Sequence, residues 1–261
     1  MEISLLGKKA LVGGSSGGIG KAIAQQLAAS GASVTVMARN EDKLKSVLAG
    51  LATSSWQSHQ YLVADFSDYE GYKKCISKYF ESNTVDILVN NTQGPSAGNS
   101  LEKKVEDYQD AFNLLFKTVV FTTELALEQM IKNRWGRVIN VASVTVKEPL
   151  SYLALSNSIR ASLVTWAKSL ATDVGEKQIT VNSILTGYFD TERIKQLNAT
   201  KAKQLGVSKS EIRSDMKSRV PLKLIGKPKE YGYLVDFLAS DNAAYITGTQ
   251  SPIDGGLLKS L

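Results

Sequence analysis

A run of small residues between positions 13 and 20 is the part of this sequence whose spacing most directly suggests chemistry. It follows the apolar segment Lys9 to Val12 and leads into apolar residues at helical spacing from Ile19 to Ala29. A glycine-rich turn between a strand and a helix lets the backbone approach a ligand closely, and the start of the helix offers unpaired N–H groups to an anion. The run therefore predicts a pyrophosphate site, with contacts from Gly14, Ser15, Ser16, Gly18, Ile19 and Gly20.

Two other nucleotide-binding patterns fit this turn poorly. A P-loop would need a glycine at position 15 and a hydroxyl at position 22, where the chain has Ser15 and Ala22. An S-adenosylmethionine methyltransferase, like an NAD-dependent enzyme, would place a carboxylate at the end of the second strand, which here ends in Ala38 and Arg39. The forked Arg39 cation can hold a phosphate by two charge-assisted hydrogen bonds, so the sequence favours NADP(H) over NAD(H).

The elements that must position these residues alternate along the chain. The periodicity predicts strands at 9–12, 33–38, 60–64, 85–89, 137–141, 179–185 and 249–253, and helices at 19–29, 41–51, 69–80, 105–132, 153–174 and 229–239. Continuous Val/Ile/Leu strands separated by helices are typical of a parallel sheet covered on both faces. Because no repeat or linker divides the sequence, we expect a single α/β domain over 1–261. Its predicted architecture is a Rossmann fold with a doubly wound, seven-stranded parallel sheet and helices on both faces.

Composition argues against several other classes of protein. The chain has 261 residues, of which 43% are hydrophobic, which is enough for one large core. No stretch reaches the roughly 18 apolar residues of a membrane span, and Met1 to Lys9 lacks the apolar core of a signal peptide, so we expect a cytoplasmic protein without a membrane partner. Cys75 is the single cysteine and His59 the single histidine, so we expect neither a disulfide nor a metal site.

Several further motifs agree, in order, with those of one known family. After the third strand comes Asp65-Phe66, after the fourth Asn90-Asn91-Thr92-Gln93-Gly94, after the sixth Thr186-Gly187 and then Thr191, and near the end Tyr245-Ile246-Thr247-Gly248 and Asp254-Gly255-Gly256. Together with Gly14-x3-Gly18-x-Gly20, these motifs resemble those of the short-chain dehydrogenase/reductase family, in particular its 3-oxoacyl-acyl-carrier-protein-reductase-like branch. The family usually has threonine at position 13, N-N-A-G where this chain has Asn90 to Gln93, and proline at position 186. The resemblance implies cofactor contacts from Asp65, Phe66, Asn91, Arg160, Gly187 and Thr191.

The chain departs from this family at its catalytic groups. Ser143, after the fifth strand, matches the serine that orients the substrate. The family's catalytic tyrosine and lysine, four residues apart, correspond to Ser156 and Arg160. The family's active-site asparagine corresponds to Leu115, and Asn113, two residues away, would face elsewhere on a helix. Arg160 can still donate to ribose hydroxyls, but a serine is a far weaker acid than a phenol.

Two functions from different classes follow from this departure. In the first, the protein is an oxidoreductase that uses NADPH to reduce a 3-oxoacyl-like carbonyl substrate, or catalyses the reverse alcohol oxidation. Ser143 then polarises the carbonyl, Tyr152 or Tyr188 supplies the acid, and Lys147 supplies an ammonium four residues after Ser143. In the second, the protein binds NADP but has lost reductase activity and serves as a sensor or scaffold.

Basic residues are concentrated in one segment. The chain has a net charge of +6, and Thr191 to Lys229 alone carries eleven Lys or Arg against three acids. Because no aromatic residue lies between Phe189 and Tyr231 to stack bases, nucleic acid is not the favoured partner. By resemblance, the segment at about 187–228 forms a lid over the substrate, and its charge would attract an acidic substrate such as an acyl thioester or a phosphorylated compound. The apolar faces of 105–132 and of the helix after Tyr152 imply, by the same resemblance, a homodimer or homotetramer.

Overall fold

Seven parallel strands form one sheet in the computed structural model, which describes residues 2–54 and 56–260. The strands are β1 Lys9–Gly13, β2 Ser33–Ala38, β3 Gln60–Val63, β4 Ile87–Asn90, β5 Gly136–Val141, β6 Ile179–Thr186 and β7 Gln250–Ile253. Their order across the sheet is β3-β2-β1-β4-β5-β6-β7, and every neighbouring pair is parallel. The ends of the predicted domain, Met1 and Leu261, lie outside the described residues.

Helices cover both faces of this sheet. In the described part of the chain they are α1 Gly18–Ala29, α2 Glu41–Ala49, α3 Tyr69–Phe80, α4 Val105–Phe112, α5 Thr118–Asn133, α6 Ala154–Val174, α7 Glu192–Leu205, α8 Lys209–Arg219 and α9 Pro228–Ala239. Neighbouring residues of β1 belong to separate cores, because side chains alternate along a strand: Val12 packs with α1, α2 and α9, and Leu11 packs with α3, α5 and α6. The predicted doubly wound Rossmann architecture is confirmed.

The strand order creates a crevice at the carboxyl end of β1. Chain direction across the sheet reverses there, since β2 and β3 lie on one side of β1 and β4 to β7 on the other. Ligands of open α/β sheets bind at such a switch point, outside the carboxyl ends of the strands. The predicted glycine turn directly follows β1 and lies at this crevice.

The structure differs from the sequence prediction in two segments. The helix predicted at 105–132 is divided into α4 and α5 by a π-helical turn, Asn113–Lys117. The basic segment, for which no element was predicted, contains α7 and α8. Their first turns are fixed by caps, with Thr191 accepting from the Ile194 N–H and Ser208 forming a capping box with Glu211.

The described residues include neither a membrane-spanning helix nor a cluster of metal-binding side chains. No helix within 2–54 and 56–260 combines the length and apolar character that crossing a bilayer requires. In the same residues, no group of three or more His, Cys, Asp or Glu side chains is arranged to hold a metal ion. The cytoplasmic location stays a prediction.

Candidate cofactor and active site

The glycine turn packs against neighbouring backbone on its inner side, at Gly13 and Gly20, and is open on its outer side, at Gly17. Gly14 and Gly18 have φ values of +56° and +55°, which side chains rarely adopt. A methyl group built on Gly20 would lie 2.3 Å from the Gly14 carbonyl oxygen, and one built on Gly13 would lie 2.3 Å from the Asn91 carbonyl oxygen. A methyl group built on Gly17 meets no atom within 4 Å. Backbone contacts therefore exclude side chains from the inner side, while the outer side has room for a ligand.

The Asn91 side chain ties the glycine turn to the end of β4. Its Nδ2 donates to the Gly13 carbonyl at 2.9 Å and to the Gly14 carbonyl at 3.4 Å. These bonds hold the turn against the neighbouring strand, so the N–H groups at the start of α1 face the crevice without a strand partner. A turn fixed in this way is preorganised for an anion such as pyrophosphate.

Thr191 lies on the other side of the same turn. A methyl group built on Gly18 would be 3.2 Å from Thr191 Cγ2, so the start of α7 contacts the glycine turn directly. The Thr191 hydroxyl accepts from the Ile194 N–H and caps α7. Arg193, two residues later, donates to the Pro95 carbonyl at 3.0 Å and ties the lid segment to the loop after β4. The structure thus brings together the predicted phosphate contacts from the two halves of the chain.

The other predicted residues of the turn have different surroundings. Ser15 is fully buried, and its hydroxyl donates to the Val12 carbonyl and accepts from the Met37 N–H. This hydroxyl therefore joins β1 to β2 and does not face the crevice. Ser16 is half-buried on the turn, and Ile19 packs against the core beside α1.

Arg39 and Asp65 lie side by side at the ends of β2 and β3. Arg39 Nε is 3.8 Å from Asp65 Oδ1, and both side chains are about half exposed. Burial alone would raise the pKa of Asp65, but hydrogen bonds from Ser67 and the nearby Arg39 outweigh it and hold that pKa below its usual range. Asp65 is therefore ionised at neutral pH. Arg39 also donates from Nη2 to the Gln93 side-chain oxygen, a contact that the sequence did not indicate.

Phe66 and Gly187 serve packing in this structure. The Phe66 ring is buried and lies 5.0 Å from the Tyr72 ring, so its side chain is part of the core behind the crevice. Gly187 follows β6, and a methyl group built on it would lie 2.6 Å from Asp254 Cα. Only glycine allows the ends of β6 and β7 to approach this closely, which explains why Thr186-Gly187 and Asp254-Gly255 occur as a pair.

Ser143 and Arg160 both lie near the carboxyl end of β5. The half-buried Ser143 accepts from the Thr145 N–H at 3.2 Å and begins the short helix Val144–Val146. Arg160, on the second turn of α6, is 9% exposed and donates from Nη1 to the Val141 carbonyl. Burial lowers the pKa of the Arg160 guanidinium, and the nearby Tyr231 hydroxyl opposes this effect. Arg160 thus lies where the resemblance implies, but it binds the backbone of β5.

The two other departures from the family pattern, Ser156 and Leu115, differ in burial. Ser156 is half-buried on the first turn of α6, one turn before Arg160. Leu115 is 1% exposed and belongs to the core between the sheet and α6. Asn113 accepts from the Gln109 side chain at 3.1 Å, one turn earlier on α4. Leu115 therefore supplies no polar group, and the side-chain oxygen of Asn113 is used within its own helix.

The two candidate tyrosines lie near each other, together with Arg219 of α8. Burial is the main cause that raises the pKa of Tyr152; Tyr188 raises it further and Arg219 lowers it. Burial is also the main cause that raises the pKa of Tyr188; Arg219 lowers it and Asp215 raises it. Tyr152 is 45% exposed, while Tyr188 packs against the lid cluster that contains Ile212. Arg219 was not among the residues predicted from the sequence. Lys147 is exposed and follows the short helix.

Taken together, the fold and the crevice define a dinucleotide-binding protein of the oxidoreductase type, and comparison with known proteins gives the family. A family model described as Enoyl-(Acyl carrier protein) reductase matches residues 14–258. The chain is 32% identical over 256 residues to the 3-oxoacyl-[acyl-carrier-protein] reductase FabG of Rickettsia conorii, covering 98% of this chain and 99% of the relative. It is 31% identical over 256 residues to the NADPH-dependent reductase BacG of Bacillus subtilis, covering 97% and 99%.

A solved structure agrees in both fold and cofactor. The L-sorbose reductase of Gluconobacter frateurii, complexed with NADPH and L-sorbose, superimposes with a TM-score of 0.92 at 30% identity and covers 100% of both chains. The chain therefore belongs to the short-chain dehydrogenase/reductase family, a family of oxidoreductases, and the predicted family is confirmed. The predicted NADP(H) cofactor agrees with the cofactors that these relatives use.

Proposed function

We propose that this protein is an NADP(H)-dependent reductase that converts the carbonyl group of a 3-oxoacyl-like substrate to an alcohol. The observation that carries the proposal is the convergence of the glycine turn, Asn91, Arg39 and Thr191 on one crevice at the carboxyl end of β1. The 3-oxoacyl class is supported by the FabG relative of Rickettsia conorii, which matches nearly the whole chain.

The residues at the end of β5 would act on the carbonyl group. Bound NADPH supplies a hydride. Ser143 would donate a hydrogen bond to the carbonyl oxygen, stabilise the negative charge that develops there and orient the group. Arg160 would hold the end of β5 through Val141 and offer its remaining N–H groups to the ribose beside it.

Tyr152 is the proton donor that we favour. It lies in the turn two residues before α6, four residues before Ser156, and its ring is partly exposed. Its raised pKa keeps the phenol protonated at neutral pH, which is the form needed to protonate an alkoxide. Alcohol oxidation, the reverse reaction, would use the same side chain as a phenolate that accepts the proton.

The lid segment at about 187–228 would select an acidic substrate. Its acids are already engaged: Asp215 pairs with Arg219 at 3.0 Å and with Lys201 at 3.9 Å, and Glu192 pairs with Lys195 at 3.5 Å. The remaining lysines and arginines leave the segment strongly positive. A phosphorylated group or an acyl thioester with a charged carrier would be attracted to this surface.

We also propose that the protein assembles as a homodimer or homotetramer through α5 and α6. These helices border a groove lined mainly by apolar side chains, namely Val120, Leu127, Ile131, Trp166 and Leu170, with Glu124 and Glu128 at its rim. Ile131 is 41% exposed. Exposed apolar grooves of this kind mark interaction surfaces. Native mass spectrometry of the wild-type chain and of Leu170→Asp tests the assembly.

One observation favours the second candidate function, an NADP-binding sensor or scaffold without reductase activity. The groups that replace the family's catalytic residues are used within the fold, since Leu115 packs in the core and Arg160 binds the Val141 carbonyl. A protein of this kind would keep its cofactor site and lose turnover.

Turnover assays separate the two functions. NADPH oxidation is measured against a panel of ketones, aldehydes and 3-oxoacyl thioesters, with wild-type protein and Ser143→Ala. Turnover that falls by about 100-fold or more in Ser143→Ala supports the reductase. The absence of turnover on every substrate, with NADPH binding intact, would favour the sensor or scaffold.

A further inference from the structure

The contact between Arg39 and Gln93 crosses the cofactor crevice. Arg39 directly follows β2, and Gln93 follows β4 by three residues. Because β2 and β4 flank β1, a bond between these two side chains spans the carboxyl end of β1, where the glycine turn begins. A dinucleotide lying in the crevice would have its adenosine half beneath or beside this bond.

The chemistry of the contact suggests how it responds to a ligand. Arg39 donates from Nη2 to the Gln93 amide oxygen, and its Nε lies 3.8 Å from the Asp65 carboxylate. The amide is a neutral acceptor, whereas a phosphate is an anion that forms stronger, charge-assisted bonds with a guanidinium. A phosphate near Arg39 can therefore displace the Gln93 oxygen without having to displace a charge.

We propose that Gln93 is a positioning residue that limits the preference for the 2′-phosphate, because it holds Arg39 across the crevice through a neutral acceptor that the phosphate must displace. This inference rests on the proposed NADP(H) function and adds a residue that acts through Arg39. With NADP(H), the Arg39–Gln93 bond is exchanged for a bond to phosphate. With NAD(H), no phosphate competes and the bond persists.

Gln93 also lies at a position where the family motif N-N-A-G has glycine, which carries no side chain. Both Gln93 and Arg39 are exposed, so substitutions at these positions leave the core intact. The φ value of Gln93 is not in the left-handed region, so other side chains fit the same backbone. The effects of such variants on cofactor binding therefore report on the contact and not on folding.

Three variants at this position separate the chemistry of the side chain from its bulk. Dissociation constants for NADPH and NADH are measured by titration calorimetry with Gln93→Ala, Gln93→Leu and Gln93→Glu. Loss of the acceptor in Gln93→Ala and Gln93→Leu should tighten NADPH binding about 3- to 10-fold and change NADH binding by less than about 2-fold. Gln93→Glu places a carboxylate on Arg39 and should weaken NADPH binding about 10-fold, with little effect on NADH.

The pattern across the two cofactors decides the outcome. If Gln93→Ala tightens NADPH and NADH equally while Gln93→Leu tightens neither, Gln93 only covers the crevice by its bulk and the proposal is wrong. If Gln93→Glu binds NADPH as well as wild type does, the acceptor has no influence on Arg39 and the proposal is also wrong.

A double-mutant cycle with Arg39→Ala distinguishes this proposal from the proposed function. If Arg39→Ala alone leaves NADPH binding unchanged, the phosphate contact assumed by the proposed function fails. If Arg39→Ala weakens NADPH binding but the Gln93 variants change nothing, or change NADPH binding equally with and without Arg39, only the role of Gln93 fails. The expected result is that the Gln93 effects on NADPH disappear in the Arg39→Ala background.

Discussion

The two ends of the crevice are built by different means. At the cofactor end, glycines approach neighbouring backbone so closely that no other residue fits, and Asn91 fixes the turn to β4. At the catalytic end, the family's positions are filled by side chains that pack or bind backbone, such as Leu115 in the core and Arg160 on the Val141 carbonyl. Backbone geometry thus tolerates little change at one end, while side-chain chemistry has been replaced at the other.

This difference explains why binding and catalysis can be considered separately. A pyrophosphate in such a turn would be held mainly by backbone N–H groups, whose positions depend on the turn and not on particular side chains. Proton transfer requires one acid at one place, so a single substitution changes it. Four predictions test the contrast, in order of the size of the effect.

The largest effect is expected from the proposed acid. Tyr152→Phe removes the phenolic proton and should lower kcat for carbonyl reduction by about 100- to 1,000-fold, with the KM for NADPH unchanged. Steady-state kinetics with the best substrate of the panel measures both constants. Tyr188→Phe is the matched control and should lower kcat by less than about 5-fold, since Tyr188 packs in the lid. An inverted order would make Tyr188 the acid.

The next effect tests the backbone at the cofactor end. In Gly20→Ala, the new methyl group would lie 2.3 Å from the Gly14 carbonyl oxygen, so the turn must shift. NADPH affinity should fall by about 100-fold, because small displacements at a preorganised site are costly. The control is Gly175→Ala, whose methyl group meets nothing within 4 Å and which should bind NADPH normally. Unchanged affinity in Gly20→Ala would mean that the turn does not hold the cofactor.

A gain of activity is expected when the catalytic end is restored toward the family pattern. The double variant Ser156→Tyr with Arg160→Lys should raise kcat by about 10-fold, because it supplies a phenol beside an ammonium that lowers its pKa. NADPH affinity should stay within about 3-fold of wild type, because lysine keeps a charged donor near the ribose and the glycine turn is unchanged. Kinetics and calorimetry measure the two quantities. A loss of NADPH binding would show that the two ends are coupled.

The smallest effect concerns the helix that carries the glycine turn. Asp236 of α9 is 3% exposed and accepts from Gln26 of α1 and from Ser30, which caps the end of α1, with no basic partner among the described residues. Burial raises the pKa of Asp236 in the folded protein, so its ionised form opposes folding as pH rises through that pKa. Asp236→Asn should therefore increase the free energy of unfolding by about 1 kcal/mol at pH 7, and the gain should vanish below the unfolded pKa of about 3.9.

Urea unfolding at pH 7 and at pH 3 measures this difference. A loss of stability at pH 7 would mean that the hydrogen bonds to Gln26 and Ser30 outweigh the cost of the buried charge. NADPH affinity serves as the control, because the Asp236 side chain contacts the face of α1 that lies away from the crevice.

Much of the architecture followed from the sequence. The glycine run, the apolar strands and the helical periodicity are local signals, and they predicted the parallel sheet and most helix ends to within a few residues. The lid helices were missed because they are mostly charged and their apolar contacts, among them Ile212 and Met216, are sparse. Their capping signal, Ser208 with Glu211, was present in the sequence.

The side-chain partners could not be predicted in the same way. Ser15 was expected at the cofactor, yet its hydroxyl joins β1 to β2, because its direction depends on the distant Met37. Leu115 was recognised as a departure and Asn113 as a displaced asparagine, but the π-helical turn that contains both residues depends on how the whole helix packs.

The sequence by itself determined the strand–turn–helix that can hold a pyrophosphate, the basic residue at the end of β2 and the family to which the chain belongs. These properties depend on neighbours in the chain, whose geometry is limited by backbone sterics and periodicity. Only the tertiary structure decided that Arg39 meets Gln93, 54 residues away, and that Tyr152, Tyr188 and Arg219 lie together. These contacts depend on the strand order, which brings the carboxyl ends of strands that are distant in the sequence to one edge of the sheet.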